Sequence, residues 1–234
     1  MRSSQRVYFH FSIPMRLLFF FIALILPAGL HAVTPADLTP VKKWLARQDE
    51  FRSVTADVVQ TRALRALRSP LSTPGHLSFV APDNFRWELG DPVKTIVVRK
   101  GNVIDVITPA KKRIERHSAT SVGQKAGAQG LAMMNFQFAK DIADFQKQFE
   151  VLAIEVTGQR CHLEVAPRDP QTRKMVAAIK IDFDTTSGQM FGFEISTRDG
   201  SALRNEFSNV RVNAKIDRHV FEFDSTGYEI INAK

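Results

Sequence analysis

The stretch Gly75–Trp87, GHLSFVAPDNFRW, predicts a β-hairpin. Leu77 and Phe79 alternate with other residues, which places both side chains on one face of a first strand. The Pro-Asp-Asn at 82–84 is typical of a tight turn, because proline fixes φ and Asp and Asn accept a bent backbone. The chain should therefore reverse direction here and pair with itself.

The second strand of this hairpin carries large apolar side chains on one face. Phe85, Trp87 and Leu89 alternate with Arg86 and Glu88, so the apolar and the charged side chains point to opposite faces. Taken alone, these residues are typical of an ordinary half-buried hairpin. They leave open whether the aromatic face serves folding or function.

Two blocks of alternating sequence predict an extensive sheet around the hairpin. The further strands are predicted at 53–64, 95–99, 103–108 and 113–117, then at 150–157, 160–167, 175–184, 188–198, 202–211 and 219–224. Strands that follow one another in hairpins predict one antiparallel sheet of about eleven strands. Such a sheet twists and curls, so its concave face must be filled by its own side chains or by another element.

Two segments have helical periodicity instead. Residues 36–52 place Val41, Trp44 and Leu45 at helical intervals behind a Thr-Pro start, which predicts an amphipathic helix. Residues 118–149 begin rich in glycine and continue rich in Met and Phe, which predicts a flexible helical insertion between the two blocks. These helical pieces are the candidates to cover the concave face.

Residues 1–32 have the organisation of a secretory signal peptide. Arg16 precedes a ten-residue apolar run, and a small-residue cleavage site ends the segment. The run is too short to span a membrane, and no cysteine follows it for acylation. We expect an exported, soluble protein whose single domain is 33–234, with the true start at Met1 or at Met15.

Composition and motifs argue against nucleic-acid binding and catalysis. The formal net charge is +8, and loss of 1–32 leaves +5 with acids interspersed, unlike a nucleic-acid binder. The remaining four histidines lack partners at metal-ligand spacing, and no phosphate loop or nucleophile elbow stands out. Cys161 and His162 are neighbours on a predicted strand and point to opposite faces, so a buried structural cysteine is favoured over a catalytic pair. We expect no enzyme activity and no cofactor.

Two segments of the chain resemble the outer-membrane lipoprotein carrier (LolA) family. The first is the hairpin in the form P-x-x-F-R-W-E, followed by Pro92, the apolar strand Thr95–Val98 and a Gly-Asn turn. The second is Asn205–Asn213, NEFSNVRVN, followed by Phe221-Glu222-Phe223. The order and spacing of the elements match the family over about residues 35–230.

The resemblance implies a mainly β fold with helices, an unclosed antiparallel half-barrel of about eleven strands covered by an α-helical lid. It implies a periplasmic chaperone that binds the acyl chains of lipoproteins in an apolar cavity and carries them from the inner to the outer membrane. The implied partners are acylated lipoproteins or lipids, an inner-membrane lipoprotein-releasing ABC transporter and an outer-membrane receptor, and the protein would be a monomer. The alternatives are a carrier for another lipid-linked envelope product and an envelope lipid or stress sensor.

The predicted site has two parts, a cavity and a partner-facing surface. The cavity residues are those of the hairpin, the next strand and the insertion: Leu77, Phe79, Phe85, Trp87, Leu89, Ile96, Val98, Met133, Met134, Phe136, Phe138 and Phe145. The partner-facing residues form a basic run at a predicted hairpin tip, for which a solvated turn is the simpler interpretation: Lys111, Lys112, Arg113 and Arg116. The best-known family members have a lid-latching arginine just before the hairpin proline, where this chain has Ala81, so the latch lies elsewhere or the lid is weaker.

Overall fold

A computed structural model describes residues 37–119 and 139–232. Its strands are β1 (Ser53–Ala63), β2 (Leu71–Val80), β3 (Asn84–Leu89), β4 (Thr95–Lys100), β5 (Val103–Thr108), β6 (Arg113–Ser118), β7 (Phe149–Thr157), β8 (Arg160–Pro167), β9 (Val176–Asp184), β10 (Met190–Thr197), β11 (Ala202–Val212) and β12 (Glu229–Asn232). Its helices are α1 (Thr39–Gln48), α2 (Ile142–Gln148) and α3 (Pro170–Met175), with 3-10 turns at Pro109–Lys111 and Arg218–Phe221.

The twelve strands in the described part of the chain form one open sheet. Their order is β12-β6-β5-β4-β3-β2-β1-β11-β10-β9-β8-β7, so β12 and β7 are the edges. Every neighbouring pair is antiparallel except β12 and β6. The long-range pairing of β1 with β11 joins the two predicted blocks. The predicted fold class, a mainly β unclosed sheet with few helices, is confirmed.

One face of the sheet holds the main core, and α1 and α2 lie against it. Trp44 of α1 stacks on Phe183 of β9, with ring centroids 4.7 Å apart. Phe145 of α2 is 2% exposed and belongs to the same apolar cluster. Aromatic stacking of this kind adds to the area that the rings bury. The predicted role of helices as a cover for the concave face is therefore met by α1 and α2.

The opposite face of the sheet is covered by the C-terminal segment that precedes β12. Arg86 of β3 donates hydrogen bonds to the carbonyl oxygens of Val220 and Glu222, each at 3.2 Å, and pairs with Glu88 at 2.6 Å. Under this segment lies a second apolar cluster: Ile96, Val98, Ile107 and Ile114, with Phe223 and Tyr228 packed against it. Strands β4 and β5 consequently bury apolar side chains on both faces.

One predicted strand at the end of the second block is wrong. Residues 219–224 are not a strand, because Arg218–Phe221 forms a 3-10 turn and the chain becomes a strand only at β12. Phe221 is 4% exposed and Phe223 packs against the outer-face cluster, so their alternation reflects burial rather than sheet pairing. The strand predicted near 175–184 is present as β9, directly after α3.

The predicted helices are longer than the observed ones. Helix α1 begins at Thr39, whose backbone N–H donates a hydrogen bond of 2.9 Å to the Asp37 carboxylate. The helix ends at Gln48, so Phe51 lies beyond it. Residues 120–138 of the predicted insertion 118–149 lie outside the described residues. In the described part of the insertion, α2 is the helix.

Cys161 is a buried core residue, as predicted. It is fully buried, and burial together with the Asp182 carboxylate raises the pKa of its thiol to about 11. His162 points to the other face and contacts Asp182, with Nδ1 and Oδ1 2.6 Å apart. The two side chains cannot act as a nucleophile and its base, because the sheet separates them.

Candidate functional site

An apolar cavity of about 720 Å³ lies between the concave face of the sheet and α1. This volume is in the range of pockets that bind small molecules. Half of the lining residues are apolar residues on strands on both sides of the β1–β11 junction: Val54, Ala56, Leu77, Phe79, Phe85, Trp87, Ile181, Met190, Phe193, Phe207, Val210 and Val212.

The strand register arranges the β1, β2 and β3 lining in two rows. Val54 lies opposite Phe79, which lies opposite Phe85, and this row is nearer the Pro82–Asp83 turn. Ala56, Leu77 and Trp87 form the next row, two residues further along each strand. Two residues of a strand span about 7 Å, so Trp87 lies about that much deeper than Phe85.

Charged residues of the lining flank the outer row. Arg52 precedes β1, Asp83 precedes β3, and Arg99 lies directly opposite Phe85 on β4. Asp49 and Lys140 also contribute to the lining. The Arg99 Nε donates a hydrogen bond to the Gly101 carbonyl at 3.0 Å. The cavity thus combines an apolar interior with a charged end, which suits an amphiphile better than a wholly apolar molecule.

Helix α1 supplies one wall and is fixed to the sheet by a close loop contact. The side-chain amide of Gln48, itself a lining residue, donates to the Gly188 carbonyl at 3.2 Å. Gly188 has φ +74°, and a Cβ there would come within 2.6 Å of the Arg47 Cβ. Only glycine allows the loop this conformation and this approach.

Four of the predicted cavity residues line the cavity: Leu77, Phe79, Phe85 and Trp87. Leu89 lies on the same face but is 8% exposed within the core cluster and outside the lining. Phe145 is likewise buried in the core without reaching the cavity. Met133, Met134, Phe136 and Phe138 lie outside the described residues.

The assignment of Ile96 and Val98 to the cavity is wrong. Both lie on the opposite face of β4, beneath the C-terminal segment, whereas Val97 belongs to the cavity-side core. Strand β4 is apolar on both faces, so its sequence lacks the alternation that would have identified the inward residue. Strand pairing identifies Val97 as the inward residue, because it lies opposite Trp87.

The predicted partner-facing run is divided by the fold. Lys111 and Lys112 are exposed at the hairpin tip between β5 and β6. Arg113 forms an ion pair with Glu115, and Arg116 donates two hydrogen bonds of 2.8 Å to the Asp105 carboxylate, which raises the pKa of Arg116. Among the described residues, Lys111 and Lys112 form no ion pair, so these two lysines carry the exposed charge of the tip.

Sequence reasoning missed the contribution of the second strand block to the cavity. Ile181, Phe193 and Phe207 alternate on their strands and could have been placed on an inward face. Their position beside the hairpin depends on the β1–β11 pairing, which joins residues about 150 positions apart. Arg52 and Arg99 were missed because local sequence gives no sign that they approach the hairpin.

The described residues contain no group of three or more His, Cys, Asp or Glu side chains that could hold a metal ion. Within the same residues, no helix is long and apolar enough to cross a membrane. Ala81, at the position where the resemblance implies a latching arginine, lines the cavity.

Comparison with known proteins identifies the family. The family model described as outer membrane lipoprotein carrier protein LolA matches residues 49–224, which is more than half of the chain. The chain belongs to the LolA family. An outer-membrane lipoprotein carrier protein from Nitrosospira multiformis is 24% identical over 190 residues, which cover 79% of this chain and 84% of that protein.

A solved structure shares the fold at low sequence identity. An uncharacterised conserved protein from Thermus thermophilus superposes with a TM-score of 0.52 at 7% identity, covering 82% of this chain and 99% of its own. A LolA superfamily protein from Nitrosomonas europaea gives a TM-score of 0.39 at 12% identity, covering 77% and 96%. The family is described as one of lipoprotein carriers, which supports a carrier role for this protein.

Proposed function

We propose that this LolA-family protein is a periplasmic chaperone that holds the acyl chains of lipoproteins in its cavity and carries them from the inner to the outer membrane. The observation that carries the proposal is the apolar cavity of about 720 Å³ on the concave face of the half-barrel, with charge at one end. An acyl chain fits the apolar rows, and the polar part of the cargo fits the charged end.

Energetics explain why such cargo needs an enclosed site. Burial of one acyl chain stabilises a complex by on the order of 12 kcal/mol, at about 0.8 kcal/mol per methylene. An open trough of this size would expose an apolar patch of the kind that causes aggregation. A wall formed by α1 limits that exposure, and release then requires an acceptor that offers the chains a comparable apolar environment.

The cellular context of this proposal comes from the N-terminal segment and the family. The signal-peptide pattern of residues 1–32 directs export, and the domain at 33–234 then works in the periplasm. An inner-membrane lipoprotein-releasing ABC transporter would load it and an outer-membrane receptor would unload it. The protein acts as a monomer without a cofactor.

The experiment that tests the proposal is identification and transfer of the cargo. Protein purified from the cell envelope without detergent is analysed by native mass spectrometry, and a purified triacylated lipoprotein is then offered to the delipidated protein in solution. The proposal expects a soluble one-to-one complex and transfer to acceptor vesicles. A protein that carries no acylated molecule and leaves the lipoprotein insoluble is not a carrier.

We assign the exposed tip lysines, Lys111 and Lys112, to encounter with an acidic partner surface or anionic headgroups. Charged tips of this kind act mainly on association rate and are screened by salt. Replacement of both lysines by Glu should slow transfer at low salt and change it little at high salt, whereas Lys215→Glu, an exposed lysine elsewhere, should have no effect. Equal transfer rates for all three proteins at low salt would exclude this role.

A second candidate is a carrier for another lipid-linked envelope product. Ala81, in place of the arginine implied by the resemblance, lines the cavity and alters its rim, which favours a changed cargo. The same mass spectrometry separates the two candidates, because it yields either a lipoprotein peptide or a lipid-linked product without one.

A further inference from the structure

The indole N–H of Trp87 is a buried hydrogen-bond donor with no acceptor. Trp87 is 8% exposed, and its Nε1 is buried without a hydrogen-bond partner among the residues that the structure describes. Buried polar groups in proteins almost always have a partner, and leaving one unsatisfied costs about as much as losing a hydrogen bond. This donor therefore calls for a functional or structural explanation.

The position of Trp87 connects that donor to the cavity. Trp87 lines the cavity one row deeper than Phe85, and its cross-strand neighbours, Leu77 and Val97, are apolar. The rings of Phe85 and Phe207, both in the lining, lie next to it, with centroids 5.9 Å and 6.2 Å from the indole. Because Nε1 is closed off from solvent, an acceptor on a bound molecule reaches it only when one of these neighbouring rings moves aside.

We propose that Trp87 is a specificity-determining residue that donates its indole N–H to a carbonyl oxygen of an acyl ester held in the cavity. This proposal rests on the proposed carrier function and names the cargo chemistry: an acyl chain that carries an ester oxygen, as opposed to a chain of hydrocarbon alone. Apolar burial supplies the affinity for either kind of chain. The hydrogen bond supplies the discrimination, because a ligand without an acceptor leaves the buried N–H unsatisfied.

The apolar surroundings make this discrimination effective. A donor in a site that excludes water gains a full hydrogen bond when an acceptor arrives, since no water partner has to be given up. A site with a buried donor also rejects analogues that lack the acceptor. We therefore expect the protein to prefer esters to ethers of equal chain length.

The test compares two probes that differ in one carbonyl group, 1-palmitoylglycerol and 1-O-hexadecylglycerol. Their affinities for the delipidated protein are measured by displacement of a fluorescent fatty acid. The ester should bind about five- to tenfold more tightly, the size of one net neutral hydrogen bond. In Trp87→Phe, which keeps an aromatic ring but removes the N–H, the ratio should fall to about one.

Met190→Ala provides the matched control. Met190 lines the same cavity from β10, four strands from β3, so its truncation changes the shape of the cavity without altering access to the Trp87 N–H. It should weaken both probes alike and keep their ratio. A ratio near one in the unsubstituted protein, or a ratio that Trp87→Phe leaves unchanged, would overturn the proposal. Failure of the unsubstituted protein to bind either probe would instead refute the carrier function itself.

A spectroscopic readout needs no substitution. The chain has two tryptophans, so its ¹H–¹⁵N spectrum contains two indole N–H signals. The ester probe should move one of them downfield, as hydrogen bonding does, and the ether probe should not. Equal shifts with both probes would mean that Trp87 senses occupancy of the cavity alone, and the proposal would then be wrong even if Trp87→Phe fails to fold.

Discussion

Replacement of Phe85 by Glu should impair cargo binding more than folding. Phe85 is half-buried at the outer row of the cavity, and full burial of a phenylalanine side chain contributes at most about 3 kcal/mol. Half of that, about 1.5 kcal/mol, is lost on substitution. The new carboxylate lies directly across from Arg99, and an opposite-charge cross-strand pair returns about 0.2–1 kcal/mol. The free energy of unfolding should fall by about 1 kcal/mol.

A loss of this size lowers the melting temperature of a domain of this length by about 2–4 °C. Binding should suffer more, because the acyl chain must pack against a polar group. A cost of about 2 kcal/mol for that burial weakens affinity about 30-fold. Circular dichroism measures the first effect, and displacement of a fluorescent fatty acid measures the second.

Two further variants calibrate the result for Phe85→Glu. Trp87→Ala removes a core ring and should cost about 3–5 kcal/mol, a much larger fall in melting temperature. Val103→Glu places the same charge at a position that is 42% exposed and outside the cavity, so it should alter neither property. If Phe85→Glu unfolds the protein, Phe85 is core packing; if it folds and binds acyl chains normally, the cavity assignment is wrong.

Three other predictions concern the scaffold. Gly75→Ala should lower the free energy of unfolding by about 1–3 kcal/mol in urea titrations, because a Cβ would lie 2.1 Å from the Glu88 carbonyl oxygen, and an unchanged midpoint would contradict this. Cys161, whose pKa is raised to about 11, should react with iodoacetamide at pH 8 far more slowly in the folded than in the unfolded protein, as mass spectrometry can measure. NMR titration should give His219 a pKa above the ordinary histidine value, because Glu222 stabilises the imidazolium. The ion pair is lost as the pH rises through that pKa. Glu222→Gln should return the pKa of His219 to the ordinary range.

The hairpin order of the fold could be predicted because its signals are local. Alternation and turn residues such as the Pro-Asp-Asn at 82–84 place the β2–β3 hairpin and its inward rings, Phe85 and Trp87. On β4, three successive residues are apolar because both faces of the strand are buried. The sequence therefore does not show which of them points inward, and Val97 could not be distinguished from its neighbours. Burial on both faces therefore removes the sequence signal that a half-exposed strand retains.

The complete cavity could not be predicted because it depends on long-range pairing. Phe207 reaches the hairpin only because β11 pairs with β1, and neither strand specifies its partner by pattern alone. Phe223 shows the converse problem, since an aromatic residue with strand-like alternation packs on the outer face instead. Local periodicity reports which side chains are buried, and the sheet topology decides which of them meet.

Photocrosslinking tests the central claim, that acyl chains occupy this cavity, most directly. A palmitoyl glyceride with a diazirine near the end of its chain is bound to the delipidated protein, irradiated, and mapped by peptide mass spectrometry. The account predicts adducts on cavity strands, at residues such as Leu77 and Phe207, that excess unlabelled 1-palmitoylglycerol prevents. Adducts confined to the outer face around Phe223, or to the exposed edge at Leu152, would contradict it.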